Sequence, residues 1–380
     1  MTITKLTREI TPEIFSRTWK FLCWEDFLSL KLCGKPFIDH SLATRTMFFN
    51  IQEKKWSVDI LTSLDLSPDL FSEVIPSGIP IGPVLPKMVE ELHLPPDIIL
   101  VSGAWDQACA TLGAGLHSSD VFLDSFGTTM CLGVCVDRPV LNQGLFHSGY
   151  QTTCFIFPGS YFVNGGSMNG GVLLKWYRDQ LKEELRDKLV HERKDFFETT
   201  METLDYTPSP LYMMPYFAGK GTPELDSTRQ GIIFGLTCES SSRDILKALL
   251  ESLCFETRRT LDFLEKNLSV NFGEVRVVGG GSRSHYFSRL KSTIYGKKIV
   301  FFDFPDLSAF GAAVLAMAGV EGWGKALGVL DHFQEKARIF EYSSENKLIY
   351  EQKYRHYLAL GQTLDRCLMD YSFLISKETF

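Results

Sequence analysis

The chain has 380 residues, 44% hydrophobic and 22% charged, the balance of a globular protein that can bury full cores without disulfide staples. Its 46 acidic and 39 basic side chains leave a formal charge of −7, which argues against nucleic-acid and anionic-membrane partners. Nine scattered cysteines with no Cys-x-x-Cys pair point to free thiols in a reducing cytoplasm and away from a structural zinc site.

Residues 10–32 carry apolar side chains at helical spacing, opening at Thr11-Pro12 and broken by Gly34-Lys35-Pro36. The stretch 76–86, rich in Gly and Pro, reads as an exposed connector. Pro95-Pro96 then opens a short apolar strand at 98–101, which delivers Asp106 to the start of a small-residue helix. After Gly115 the pattern turns to strands. Two of them, 121–125 and 130–136, are joined by Gly127-Thr128-Thr129, and a strand pair follows at 155–163 around Pro158-Gly159. A helix is expected at 171–188, starting in Asn169-Gly170-Gly171, and a long amphipathic one at 242–267. Strand 275–278 leads into Gly279-Gly280-Gly281-Ser282-Arg283-Ser284 and a helix to 295. Strand 298–302, a helix from Ser308 and an amphipathic helix over 344–374 complete the chain, an α/β pattern. The apolar stretch 309–320 is too short and too rich in Gly and Ala to span a bilayer, and no apolar leader follows the polar start.

Three segments can carry chemistry. Asp106 stands at a strand end, where open α/β sheets bind ligands, and could take a proton from a substrate hydroxyl; by itself it reads more readily as a plain N-cap. Gly127-Thr128-Thr129 offers backbone amides and two hydroxyls to a phosphate, though a plain hairpin uses the same residues. The triple glycine at 279–281 lets a flat ligand approach the backbone, but an unliganded tight turn is as good a reading. It is neither G-x-G-x-x-G nor a Walker loop. Only Gly34, Gly78 and Gly82 precede residue 100, so no phosphate loop is expected there. The eight histidines show no metal spacing, and no G-x-S-x-G elbow supports a hydrolase.

Taken in order, these segments resemble the FGGY carbohydrate kinases. The similarity runs through residues 32–50, with Asp39, Ser41 and Thr46 in the family's "TD.S.AS.T" pattern; Gly103-Ala104-Trp105-Asp106-Gln107; Ser125-Phe126-Gly127-Thr128-Thr129; the loop 215–236; and 278–284 with Ala309-Phe310-Gly311-Ala312-Ala313. The resemblance implies an α/β fold of two actin-like, ribonuclease H-like domains, a first at 1–113 and a nucleotide-binding one at 114–380. It also implies ATP- and Mg2+-dependent phosphorylation of a sugar or polyol. Asp106 would be the base and Gln107 a further substrate contact. Gly127 and Thr128 would hold the donor phosphates, Gly171 and Lys175 the nucleotide side, and Gly280, Gly281 and Ser284 the adenosine. No protein metal ligand is implied.

The sequence departs from the family pattern in one large respect. No Asp-x-Gly-Thr/Ser hairpin, the family's first phosphate loop, precedes the helices, so the first domain is expected to be truncated and the reaction impaired. A non-catalytic nucleotide- or sugar-binding protein, or a subunit completed by a separate polypeptide, is the alternative; a homodimer is also open. Thr293 stands where the family usually has Asp, a lesser change.

Overall fold

The computed structural model describes residues 3–116, 118–304, 306–342 and 346–375. Ser344, the expected start of the last helix, lies outside them.

The first hundred residues are short helices and paired strands. The apolar run 10–32 does not make one helix: Pro12–Phe15 ends after one turn, and α1 (Trp24–Cys33) forms separately, closed by Gly34 at φ +81°. Strand β1 (Phe37–Asp39) leads into α2 (His40–Arg45) and pairs in parallel with β2 (Glu73–Ile75). The stretch expected as a connector contains β3 (Pro80–Pro83), which pairs antiparallel with β4 (Ile99–Val101). The strand before Asp106 therefore has a partner within the chain. It hands over to α3 (Asp106–Gly113).

The rest is built on a seven-stranded mixed sheet. Its strands are β5 (Val121–Phe126), β6 (Met130–Val136), β7 (Gln151–Cys154), β8 (Tyr161–Ser167), β9 (Glu274–Val278), β10 (Lys298–Phe301) and β11 (Arg338–Phe340), in the order β11-β10-β9-β5-β6-β8-β7. β9 runs parallel to β5 and β10, and the other pairs are antiparallel. The strand pair expected at 155–163 forms around the Pro158-Gly159 turn but is wider: Phe155 to Ser160 are the turn between β7 and β8, and within the expected stretch only Tyr161 to Val163 are strand.

Period-two alternation along β5 feeds a separate core on each face. Phe122 and Phe126 join a cluster under α5 (Ser242–Leu268) and α6 (His285–Tyr295), with Leu249, Leu253 and Phe287. Between them Asp124 is fully buried, compensated by Lys291 Nζ at 2.6 Å and the Tyr295 hydroxyl at 2.9 Å. Val121 and Leu123 face the other way, toward Ala108 and Leu112 of α3 and Val314 of α7 (Leu307–Glu321).

Helices α3 and α7 touch backbone to backbone. A Cβ on Gly311 would overlap the Cys109 carbonyl oxygen, and one on Gly113 would overlap that of Leu307. Glycine at both positions is what permits the seam. The helix that ends the expected first domain is thus packed into the second body. α8 (Lys347–Ile375) closes the first core, where Lys353 pairs with the buried Glu251.

Candidate active site

Three glycine turns meet at one cavity. The β5–β6 hairpin closes with the Gly127 N–H donating to the Thr129 carbonyl at 3.0 Å. The start of α4 (Gly171–Trp176) docks on that hairpin: Gly171 N–H donates to the Gly127 carbonyl at 2.8 Å and Val172 N–H to that of Thr128 at 3.1 Å. A Cβ on Gly171 would lie 2.9 Å from the Gly127 carbonyl oxygen, closer than side chains come. Gly279, at φ +99°, turns the chain after β9, and a Cβ there would overlap the Phe126 carbonyl oxygen.

The space between these turns is about 400 Å³, lined by Gly127, Thr128, Gly171, Lys175, Gly280 and Ser284. Gly281 lies in the single turn Gly280–Arg283, both ends of which line the cavity. The Ser284 hydroxyl already caps α6, accepting the Phe287 N–H at 3.3 Å. Lys175 is exposed.

The outer wall comes from a helix that sequence reasoning missed, Phe196–Met201, through Asp195, Phe197, Glu198 and Met201. Its signal was the pair Asp195 and Glu198, an N-cap and an acidic third residue; Asp195 Oδ1 accepts the Glu198 N–H at 2.7 Å. The expected helix 171–188 breaks just before it, passing from α4 through a wide turn at Tyr177–Leu181 to Glu183–His191.

A second space of about 290 Å³ shares Gly280 and Arg283 with the first and is lined also by Gln107, Ser125 and Ser308. Gln107 Oε1 is buried and has no hydrogen-bond partner among the described residues. It is an orphan acceptor on a residue that borders the glycine turn. Asp106, one residue earlier, is exposed at the start of α3, and its Oδ1 accepts the Gln107 N–H at 2.7 Å. A helix start favours a negative side chain there.

Helix α2 grips the segment that carries Asp106. The Ser41 hydroxyl accepts the Trp105 N–H at 2.9 Å, and one turn later the Arg45 guanidinium lies over the Trp105 ring at 4.5 Å. Asp39 caps α2 by accepting the Ser41 and Leu42 N–H groups at 2.7 and 2.9 Å, and the Ser77 hydroxyl donates to it at 2.6 Å. Asp39 is fully buried beside Glu25, whose Oε2 accepts the Asp39 N–H at 3.2 Å. Burial first, and then the Asp39 charge, push Glu25 up to about 9, and burial raises Asp39 as well. The pair therefore retains a proton at neutral pH. No signal in the sequence links residue 25 to residue 39, since β1 alone brings them together.

Among the described residues no group of three His, Cys, Asp or Glu side chains could hold a metal ion, and no helix is long and apolar enough to cross a membrane.

Residues 124–320 match the C-terminal domain of the FGGY family of carbohydrate kinases, and residues 1–113 match its N-terminal domain. The chain belongs to the FGGY family of carbohydrate kinases. Among FGGY kinases it is similar to the xylulose kinase of Lactococcus lactis, 26% identical over 360 residues that cover 92% of this chain and 68% of that protein. The glycerol kinase of Lactobacillus acidophilus is 29% identical over 310 residues, covering 81% of this chain and 59% of that one. In fold the chain resembles the xylulose kinase of Rhodospirillum rubrum, with a TM-score of 0.80 at 20% identity, covering 96% and 71% of the two chains. It also resembles Plasmodium falciparum glycerol kinase with ADP, with a TM-score of 0.82 at 20% identity, covering 95% and 71%. The α/β, two-domain kinase fold expected from the sequence is present. The FGGY N-terminal match runs across 1–113. It gives no support to the expectations of a truncated first domain, of a reaction impaired by truncation, or of a polypeptide that completes the protein.

Proposed function

We propose that this chain transfers the γ-phosphoryl group of ATP to a hydroxyl of a sugar or polyol. The observation that most supports this is the meeting of three glycine turns on one cavity, beside a helix start that bears an exposed carboxylate. The Thr128 amide and hydroxyl suit the donor phosphates, in a turn where the neighbouring Gly127 puts no Cβ in the way. Gly171 and Lys175 flank the same space, and Gly280, Gly281 and Ser284 supply a flat surface for adenosine. Magnesium would be held chiefly by the nucleotide phosphates and would neutralise their charge during transfer.

In this reading Asp106 receives the proton of the acceptor hydroxyl as its oxygen attacks the phosphorus in line and ADP leaves. Gln107 presents its orphan oxygen as a hydrogen-bond acceptor to the same substrate. Positioning and charge neutralisation supply the rate. The names of the similar proteins favour a ketose or glycerol as acceptor. Nine free cysteines fit a cytoplasmic location.

The test is ADP release by the purified chain with ATP and, separately, xylulose and glycerol, together with calorimetry of ATP binding. Acceptor-dependent release is expected. ATP binding with no release for any acceptor would instead support the binding-protein reading.

A further inference from the structure

Thr128 lines the glycine cavity, while its neighbour Thr129 lines a different one of about 640 Å³ on the other side of the hairpin turn. Arg45, Gln151, Asn164, Ser167 and Lys220 border that second space. Its two cations differ. Lys220 is neutralised by Asp365 at 2.9 Å and by Glu224 at 2.5 Å. Arg45 is exposed and has no carboxylate partner among the described residues; it donates to the Gln151 side-chain oxygen and lies on the Trp105 ring.

A guanidinium with no carboxylate partner among the described residues thus lies over the ring one residue before the proposed base. The neighbourhood is shared with Asp106: both charges act on the Cys131 thiol, Arg45 pulling it down and Asp106 pushing it up, while burial dominates and raises it to about 11. Asn164 adds a second sign of an unfilled polar site. It is 5% exposed, and its Nδ2 has no partner among the described residues.

A guanidinium is a rigid planar fork of donors, and that geometry matches an sp² oxygen group far better than isolated hydroxyls. We propose that Arg45 selects the acceptor: it receives a planar oxygen group, the carboxylate of a sugar acid or the carbonyl of an open-chain ketose, while a hydroxyl of the same molecule faces Asp106. The inference rests on the kinase reading above and names its acceptor class. Plain polyols such as glycerol lack the group that Arg45 would hold.

The experiment compares wild type, R45Q and R45K with gluconate, xylulose and glycerol, measuring kcat/KM for each and acceptor binding by calorimetry without ATP. The wild type is expected to prefer gluconate or xylulose over glycerol by about tenfold or more, and the better of those two identifies carboxylate or carbonyl. R45Q should lose the preference through a higher acceptor KM, with the KM for ATP unchanged. R45K should fail to restore it, because charge without the planar fork is insufficient. Retention of the preference in R45Q, or a wild type that favours glycerol, overturns the inference. If no acceptor gives ADP release, the kinase reading fails, and calorimetry still decides Arg45. Gluconate or xylulose binding that is about tenfold weaker in R45Q supports the role; equal binding, or none, ends it. Arg45 is exposed, so circular dichroism should show both variants folded.

Discussion

The amide of Trp105 donates to the hydroxyl of Ser41 at 2.9 Å, tying the segment before Asp106 to a helix sixty-four residues earlier in the chain. Removing that acceptor leaves a half-buried N–H unpaired, at a cost of about 1–3 kcal/mol. S41A should therefore lower the urea midpoint and reduce kcat, while KM for ATP stays within about twofold. A matching loss in ATP affinity would show that Ser41 supports the fold generally rather than the placement of Asp106.

Asp106 itself is predicted to act on the chemical step alone. D106N keeps the size and the contact to the Gln107 amide but cannot accept a proton. Steady-state assays should show kcat reduced by about 10²–10⁴-fold. Calorimetry should show ATP binding unchanged, because Asp106 does not line the glycine cavity.

Gly279 and Gly280 are neighbours with different reasons to be glycine. At Gly279 a side chain would overlap the Phe126 carbonyl at a positive φ, whereas a Cβ on Gly280 meets nothing within 4 Å. G279A should lose about 1–3 kcal/mol of stability in thermal or urea unfolding. G280A should unfold like wild type yet bind ATP more weakly, since its new methyl borders the cavity. Equal stability of the two variants would contradict this account of the turn.

The Glu25–Asp39 pair predicts a pH dependence of stability. Glu25 is raised from 4.5 to about 9, so the folded state binds its proton more tightly than the unfolded state. Its contribution is intact below about pH 4.5 and is lost as pH rises toward 9, with a slope of at most about 1.4 kcal/mol per pH unit. E25Q removes the Glu25 proton from this balance and leaves Asp39 as the one carboxyl of the pair. Urea unfolding at pH 5.5 and pH 8.5 should show wild type losing stability relative to E25Q across that interval. Parallel curves would mean that Glu25 is solvated.

The sequence was informative where local pattern and tertiary structure agree. The helix expected at 242–267 forms as Ser242–Leu268, because its apolar stripe and its Ser241 capping box act locally. The hairpin at Gly127 and the turn at Gly279 were identifiable for the same reason, and their meeting at one cavity followed from family resemblance rather than from spacing. Elsewhere tertiary contacts overrode local pattern. Pro80–Pro83 reads as a loop yet pairs with Ile99–Val101, its prolines tolerated in a two-stranded ribbon whose other edge is open. Arg45 over Trp105 and Glu25 beside Asp39 join residues whose only relation is the fold.

The glycine seam between α3 and α7 has a mechanical corollary. Asp106 begins a helix that is fused by close backbone contact to the sheet body bearing Gly127 and Gly279. If the two bodies swing relative to each other during turnover, the base and the phosphate turn travel together, and the bending falls on residues 102–105. The last of them, Trp105, is the residue that α2 holds through Ser41 and Arg45. Helix α2 is then the lever by which the early part of the chain would push on the reacting centre without altering its internal spacing.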